Sequence, residues 1–326
     1  MIPIDHHIFK NKAVELKDAM KNTAPGVLIA IIGCSGVGKT VLRRYVLKTC
    51  YNAPCYWADN VTPFIDTMAI LASGSYFNSR HFVFDLKKQV LFPDLSWMLD
   101  PRHLDSEDWI IRKIEEIRRA KAMLPALRWT TEAKEWDNLA DICETCRCEW
   151  ISIDHATCML VNHKNKIPAD HLFNLASWSE RHRIRIILTG IETMPALWAR
   201  KAELRRRIKK IWIPPYPDDR EGIKKFARVV ASLLKEFDAE SPTEIIRMTP
   251  ELHMATGGII GELKRLFVDS AKDGRPLSRE GITSCYYTQS ELRDLWDGIR
   301  RFHEARKISS REELYAAKQA GLRRKH

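Results

Sequence analysis

Gly33, Gly38, Lys39 and Thr40 stand at the spacing G-x-x-x-x-G-K-[ST], which suits them to hold a polyphosphate. Glycines let the backbone curl so that successive N–H groups converge on an anion, and a helix starting at Lys39 aims its positive end at the same point. Lys39 would reach the β- and γ-phosphates, and the Thr40 hydroxyl would ligate Mg²⁺. The whole cradle is Gly33, Cys34, Ser35, Gly36, Val37, Gly38, Lys39, Thr40 and Val41. At an average usage of about 7% Gly, four such fixed positions arise by chance in roughly one chain of this length in a hundred. The apolar VLIAII before the loop and the helical VLRRYVLKTC after it supply the strand and helix that the motif requires. The expected ligands are ATP and Mg²⁺.

Such a site also needs an acid for the metal and a polar group near the γ-phosphate. Trp150-Ile-Ser-Ile-Asp154 reads as a buried strand ending in an acid, as a Walker B element does, with Asp154 holding Mg²⁺ through water opposite Thr40. Ile184 to Gly190 is a second buried strand with Thr189 near its C-terminal tip, where open α/β sheets bind ligands. Thr189 could there sense a γ-phosphate or the attacking water. The plainer alternatives are an acid and a threonine that only end strands. Cys143, Cys146 and Cys148, with Cys158 beyond the next strand, raise a metal reading. Cys146 and Cys148 are too close for paired C-x-x-C knuckles and no second pair follows, so they read as buried thiols.

Several further elements must position these groups. His6 to Lys21 carries apolar residues at helical spacing, and Pro25 and Gly26 end it, giving an N-terminal helical unit over 1–25. A short strand is expected at CYWA (55–58), followed by an apolar helix through Phe64, Met68, Ile70 and Leu71. Near-continuous apolar strands between helices predict an α/β fold with a mostly parallel sheet covered on both faces. Asp105 to Met123 reads as an amphipathic helix capped by Asp105 or Ser106, with Trp109, Ile110, Ile114 and Ile117 inward. Its cationic side, with Lys113, Arg118, Arg119 and Lys121, is either a solvated face or a DNA-facing one. Helices are also expected from Thr131 to Cys146 and from Asp170 to Arg181. Trp198 to Ile213 reads as a basic helix running into a last strand, IKKIWI, and Pro214, Pro215 and Pro217 close a domain over 26–217. A small all-α lid follows over 218–280, with Gly257 and Gly258 at a break between helices. A basic tail over 281–326, exposed and mixed in composition, would bind a partner.

Bulk properties narrow the class. With 326 residues, 45% hydrophobic and 29% charged, the chain can bury a sizeable core and carries no long disordered tract. A net charge of +11 favours an acidic partner such as nucleic acid over a merely basic surface. No apolar run approaches the roughly 18 residues that cross a bilayer, so no membrane is expected. The first residues lack the apolar segment of a signal peptide, and the eight cysteines are then expected to be reduced and cytoplasmic.

Taken together, the phosphate loop, IDHA, ILTG, LRRRI and TGGIIGELKRL resemble the AAA+ ATPases. IWIPPYP and the TGG motif narrow the resemblance to the TnsC/TniB transposition regulators, of transposons that include the CRISPR-associated ones; it covers residues 27–272. The resemblance implies an AAA+ P-loop domain with a five-stranded sheet and a helical lid, Asp154 as the Walker B acid and Thr189 as sensor one. In the run Arg205-Arg206-Arg207-Ile208 it implies that Arg207, with Arg206 as second choice, reaches the neighbouring subunit's nucleotide; the plain alternative is a basic helix end. Lys264 and Arg265 match a second sensor. It further implies a homo-oligomeric ring or filament on duplex DNA, contacted without sequence readout, that links a target-selection protein to a transposase. Lys113, Arg118, Arg119, Lys121, Lys164 and Lys166 are the candidate DNA contacts.

The sequence departs from that pattern at His155, where the family has a glutamate that activates water. A neutral imidazole can accept a proton near pH 7, but beside Mg²⁺ and a triphosphate it is a less assured base than a carboxylate. The expectation is intact ATP binding and assembly, with slow or partner-stimulated hydrolysis. Two other classes stay open: a helicase loader or remodeller working by repeated hydrolysis, and a nucleotide-gated signalling switch.

Overall fold

A computed structural model describes residues 6–50, 62–71, 76–99, 108–123, 130–161, 167–199 and 201–307. Its centre is a five-stranded parallel sheet in the order β2-β3-β4-β1-β5, made by β1 (Leu28–Gly33), β2 (Phe64–Met68), β3 (Trp150–Asp154), β4 (Arg185–Gly190) and β5 (Ile208–Ile213). Alternation along β1 shows why the sheet needs cover on both sides. Leu28, Ala30 and Ile32 enter one apolar core, while Ile29 and Ile31 enter the other, and all five are fully buried. Each fully buried Leu or Ile contributes about 1.5–3 kcal/mol of transfer free energy.

Helices α3 (Ser79–Leu91), α5 (Glu132–Thr145) and α6 (Pro168–His182) close the first face through Phe82, Leu139, Leu172 and Trp178. Helices α1 (His7–Asn22), α2 (Lys39–Cys50) and α4 (Asp108–Met123) close the second through Leu16, Val46 and Ile110. Trp109, Ile114 and Ile117 of α4 pack partly buried on that core, as its periodicity predicts, whereas its expected caps Asp105 and Ser106 lie outside the described residues. The short helix α7 (Ala202–Arg206) leads into β5. A third core belongs to the lid: α8 (Arg220–Leu234), α9 (Pro242–Arg247), α10 (Thr249–Thr256), α11 (Ile260–Ser270) and α12 (Arg279–Ser284) bury Phe226, Leu252, Phe267 and Ile282 together.

Three sequence expectations are corrected. Phe64 to Met68 is a strand, not a helix: Phe64 faces one core and Ile65 the other, a period of two that no helix allows. The residues of CYWA lie outside the described ones. The basic helix expected from Trp198 shrinks to α7, because Leu197, Trp198 and Leu204 must all enter the first core while the chain returns from the tip of β4 to the start of β5. The tail is not free up to residue 307. It forms α13 (Gln289–Arg306), opened by a Thr288–Glu291 capping box, and buries Ile299 and Phe302 against the second core.

Candidate nucleotide site

The loop between β1 and α2 follows an interior strand of the sheet, between β4 and β5, and opens a helix at Lys39, so its N–H groups and the helix end face one point. Gly36 and Gly38 take φ of +77° and +92°, a backbone region that L side chains rarely adopt. Lys39 Nζ donates to the carbonyls of Gly33 at 2.9 Å and Cys34 at 2.7 Å, acceptors that a polyphosphate would replace. Burial lowers the Lys39 pKa to about 8, against the opposing pull of Asp154, Cys34 and Glu192. Burial also pushes the Cys34 thiol up to about 12, so it is an inert lining group and not a nucleophile.

β4 lies between β1 and β3 and brings Thr189 beside Asp154. Asp154 is the hub of the site. Its Oδ2 accepts from Thr40 Oγ1 at 2.6 Å and from Arg43 Nη2 at 3.3 Å, and its Oδ1 accepts from the Thr189 hydroxyl and from the His155 N–H at 2.9 Å. Burial raises the Asp154 pKa, but Arg43, Thr189, Thr40 and the His155 amide outweigh it and hold the carboxyl below its ordinary range. The strand therefore presents a charged carboxylate touching the loop threonine. A hydroxyl and a carboxylate oxygen are hard donors of the kind Mg²⁺ takes, so Thr40 and Asp154 fit that ion, although Arg43 offsets part of the charge that would draw it.

Sequence reading missed Arg43 altogether. It is 1% exposed and is held by Asp66 of β2 at 2.7 Å as well as by Asp154, while Arg44 Nε reaches the other oxygen of Asp66 at 2.6 Å. Among the described residues its Nε and Nη1 have no hydrogen-bond partner. The alternation of helix α2 hints at an inward residue there, but only Asp66, read as part of a helix, would have shown its partner.

His155 takes a left-handed backbone (φ +53°) directly after β3 and is exposed, and no described residue hydrogen-bonds its imidazole. Arg207 lies at the other end of the sheet from the loop. Its carbonyl accepts from Leu28 N–H at the start of β1, the length of a six-residue strand, or about 17 Å, from Gly33. Its guanidinium pairs with Glu180 at 2.6 Å and Glu203 at 3.1 Å, while Arg206 is exposed. It cannot serve the loop of its own chain. Lys264 pairs with Glu236 at 2.9 Å, and Arg265 with Glu262 at 3.4 Å and Asp269 at 3.6 Å.

The lid sits directly on the loop. Gly261 N–H donates to the Gly36 carbonyl at 2.9 Å, and a Cβ on Gly261 would stand 2.6 Å from that oxygen. Beside this contact, His6, Val37, Pro215, Tyr216 and Gly258 line a cavity of about 10 Å³, room for one water. Tyr216 ties the parts together: its hydroxyl bonds His6 Nδ1 at 2.9 Å, its N–H donates to Gly258, and its carbonyl accepts from His253 Nε2 at 2.8 Å. A flat base could enter there only if α1 and the lid part. IWIPPYP was the signal for this corner, but His6 left none.

Of the candidate DNA contacts on α4, Lys113 pairs with Glu116 at 3.0 Å and Arg119 approaches Glu115 at 3.8 Å; Arg118, Arg119 and Lys121 are exposed. Lys164 and Lys166 lie outside the described residues. Cys143, Cys146 and Cys148 are buried in the first core, and among the described residues no His, Cys, Asp or Glu cluster could hold a metal. No described helix is long and apolar enough to cross a membrane.

The fold and the loop define the AAA+ P-loop class of architecture. Among solved structures, the Walker-type ATPase of Pyrococcus abyssi is similar at a TM-score of 0.52 and 16% identity, over 99% of this chain and 76% of that one. The ORC2 protein of Aeropyrum pernix, solved in ADPNP–ADP complexes, is similar at a TM-score of 0.54 and 13% identity, over 87% of this chain and 69% of that one. At such identities the likeness is one of fold. No protein-family model matches the chain, and no curated protein matches it.

Proposed function

We propose that this protein binds ATP with Mg²⁺ and uses the bound nucleotide to assemble on duplex DNA as a transposition regulator of the TnsC/TniB kind. The observation that carries the nucleotide reading is Asp154, held charged between the loop threonine and Thr189. Lys39 would move from the Gly33 and Cys34 carbonyls to the β- and γ-phosphates, while the loop amides and the start of α2 hold their charge. Mg²⁺, held by Thr40 and Asp154, would polarise a phosphoryl oxygen. Arg207, far from its own loop, is suited to reach a neighbouring protomer's nucleotide, so complete sites would form only between subunits. That makes assembly depend on the triphosphate.

The net charge of +11 and the cationic side of α4 support phosphate contacts without sequence readout. The resemblance supports the step from assembly to transposition, in which the filament would link a target-selection protein to a transposase. Electron microscopy with an ATP analogue and duplex DNA tests the reading: DNA-threaded rings or filaments are expected, and nucleotide-independent monomers would remove it.

A further inference from the structure

Hydrolysis in such a site needs a base, and no described residue hydrogen-bonds the His155 imidazole to orient it. A second carboxylate stands near the loop. Glu192 lies two residues beyond β4 and three beyond Thr189, and it is 8% exposed. Its Oε1 receives Arg301 Nε of α13 at 3.3 Å. Glu192 also acts electrostatically on Lys39 and Cys34, as Asp154 does on Lys39. Glu262 of the lid faces Gly36, but the Tyr287 hydroxyl and Arg265 hold it.

α13 is pinned to two bodies at once. Phe302 packs edge-on to Trp212 of β5 at 5.6 Å, whereas Trp296 Nε1 donates to the Met254 carbonyl of the lid at 3.2 Å, and Ile299 sits against Gly257. A shift of the lid over the loop therefore strains the helix that carries Arg301, because α13 is held to the sheet at Phe302 and to the lid at Trp296.

We propose that Glu192 is the catalytic carboxylate of this site and that Arg301 holds it out of use until the lid moves. The inference rests on the nucleotide reading above. In the step, the oxygen of a water bonds the γ-phosphorus and the bond from that phosphorus to the β–γ bridging oxygen breaks. The proton of the water passes to the Glu192 carboxylate and later to solvent, and ADP and phosphate leave. Once Arg301 withdraws, Glu192 supplies what the missing Walker B glutamate would have supplied.

The test is ATP binding and steady-state turnover of the full chain with Mg²⁺, for wild type and for E192Q, R301Q, E192Q/R301Q and H155A. E192Q is expected to lose turnover by about 100-fold or more while its ATP affinity stays close to wild type. R301Q is expected to turn over faster than wild type, and H155A to lose far less turnover than E192Q. Arg301 is largely exposed, so E192Q strands no buried charge; R301Q leaves the buried Glu192 carboxylate unpaired, and the double variant, which removes that charge, should be as slow as E192Q. A double variant as fast as R301Q, or an H155A that loses turnover about 100-fold, overturns the proposal. If wild type and R301Q bind ATP but neither hydrolyses it, the proposal is overturned and the nucleotide reading stands. If none of the proteins binds ATP, both fall.

Discussion

The Thr40 hydroxyl donates to Asp154 Oδ2 at 2.6 Å, joining the first turn of α2 to the tip of β3 across a sheet in which β4 separates α2's own strand, β1, from β3. That contact converts a phosphate loop and a distant acid into one site. It also predicts what happens when the acid is neutralised.

Asp154→Asn keeps the shape but removes the charge that Arg43, Thr40, Thr189 and the His155 amide all serve. A loss of about 2 kcal/mol in stability is expected, since hydrogen bonds to a charged group carry roughly that much. Because the folded carboxyl titrates below its ordinary range, the wild-type contribution is present above that range and lost as pH falls through the lowered value. Urea unfolding at neutral pH and at pH near 3 should therefore show the two proteins converging in acid; a constant difference would contradict the assignment.

Lys39 predicts a proton linkage. Its pKa of about 8 lies below the ordinary 10.5, so between those values the folded chain binds fewer protons than the unfolded one, and raising pH through this window relieves the cost of burying the charge. A polyphosphate favours the charged lysine. ATP binding near pH 8.5 is then expected to take up protons and to weaken as pH rises from 7 to 9, which calorimetry in buffers of different ionisation enthalpy measures directly.

Gly261→Ala sets a methyl group against the Gly36 carbonyl, which is backbone and cannot swing away. The lid should lift from the loop, with a cost of about 1–3 kcal/mol. Faster amide exchange at residues 259–263 and ATP binding weakened by about 10-fold are expected.

Lys87 and Glu135 form a buried pair at 2.5 Å that joins α3 to α5, and Thr130 gives Glu135 two more donors. Burial raises the Glu135 pKa, but Lys87 and Thr130 outweigh it and hold it below the ordinary value. Lys87→Met strands the carboxylate and should destabilise by about 3–5 kcal/mol, whereas Lys87→Met with Glu135→Leu should recover much of that. Chemical denaturation of both variants checks the ordering.

What could be read from the sequence was local. The phosphate loop, Asp154 and Thr189 each sit in a continuous strand–turn pattern, and the residues that the loop needs are neighbours in the chain. β2 was misread because Phe64 and Met68 also stand at helical spacing, and five residues hold too few periods to choose. Arg43 with Asp66, and Glu192 with Arg301 109 residues away, are pairs made only by the sheet order and the return of α13. Nothing in α13 announced that return, since its buried residues are two, Ile299 and Phe302, in an otherwise charged helix.

The central claim is a triphosphate site built on Lys39 and Asp154. Its most direct test is titration of ATP with Mg²⁺ into the wild-type chain and into Lys39→Ala, with folding of both checked by circular dichroism. The account predicts saturable one-to-one binding by wild type, weakened at least about 100-fold in Lys39→Ala by loss of the charge on the β- and γ-phosphates. Equal binding by the two folded proteins, or none by wild type, would contradict it.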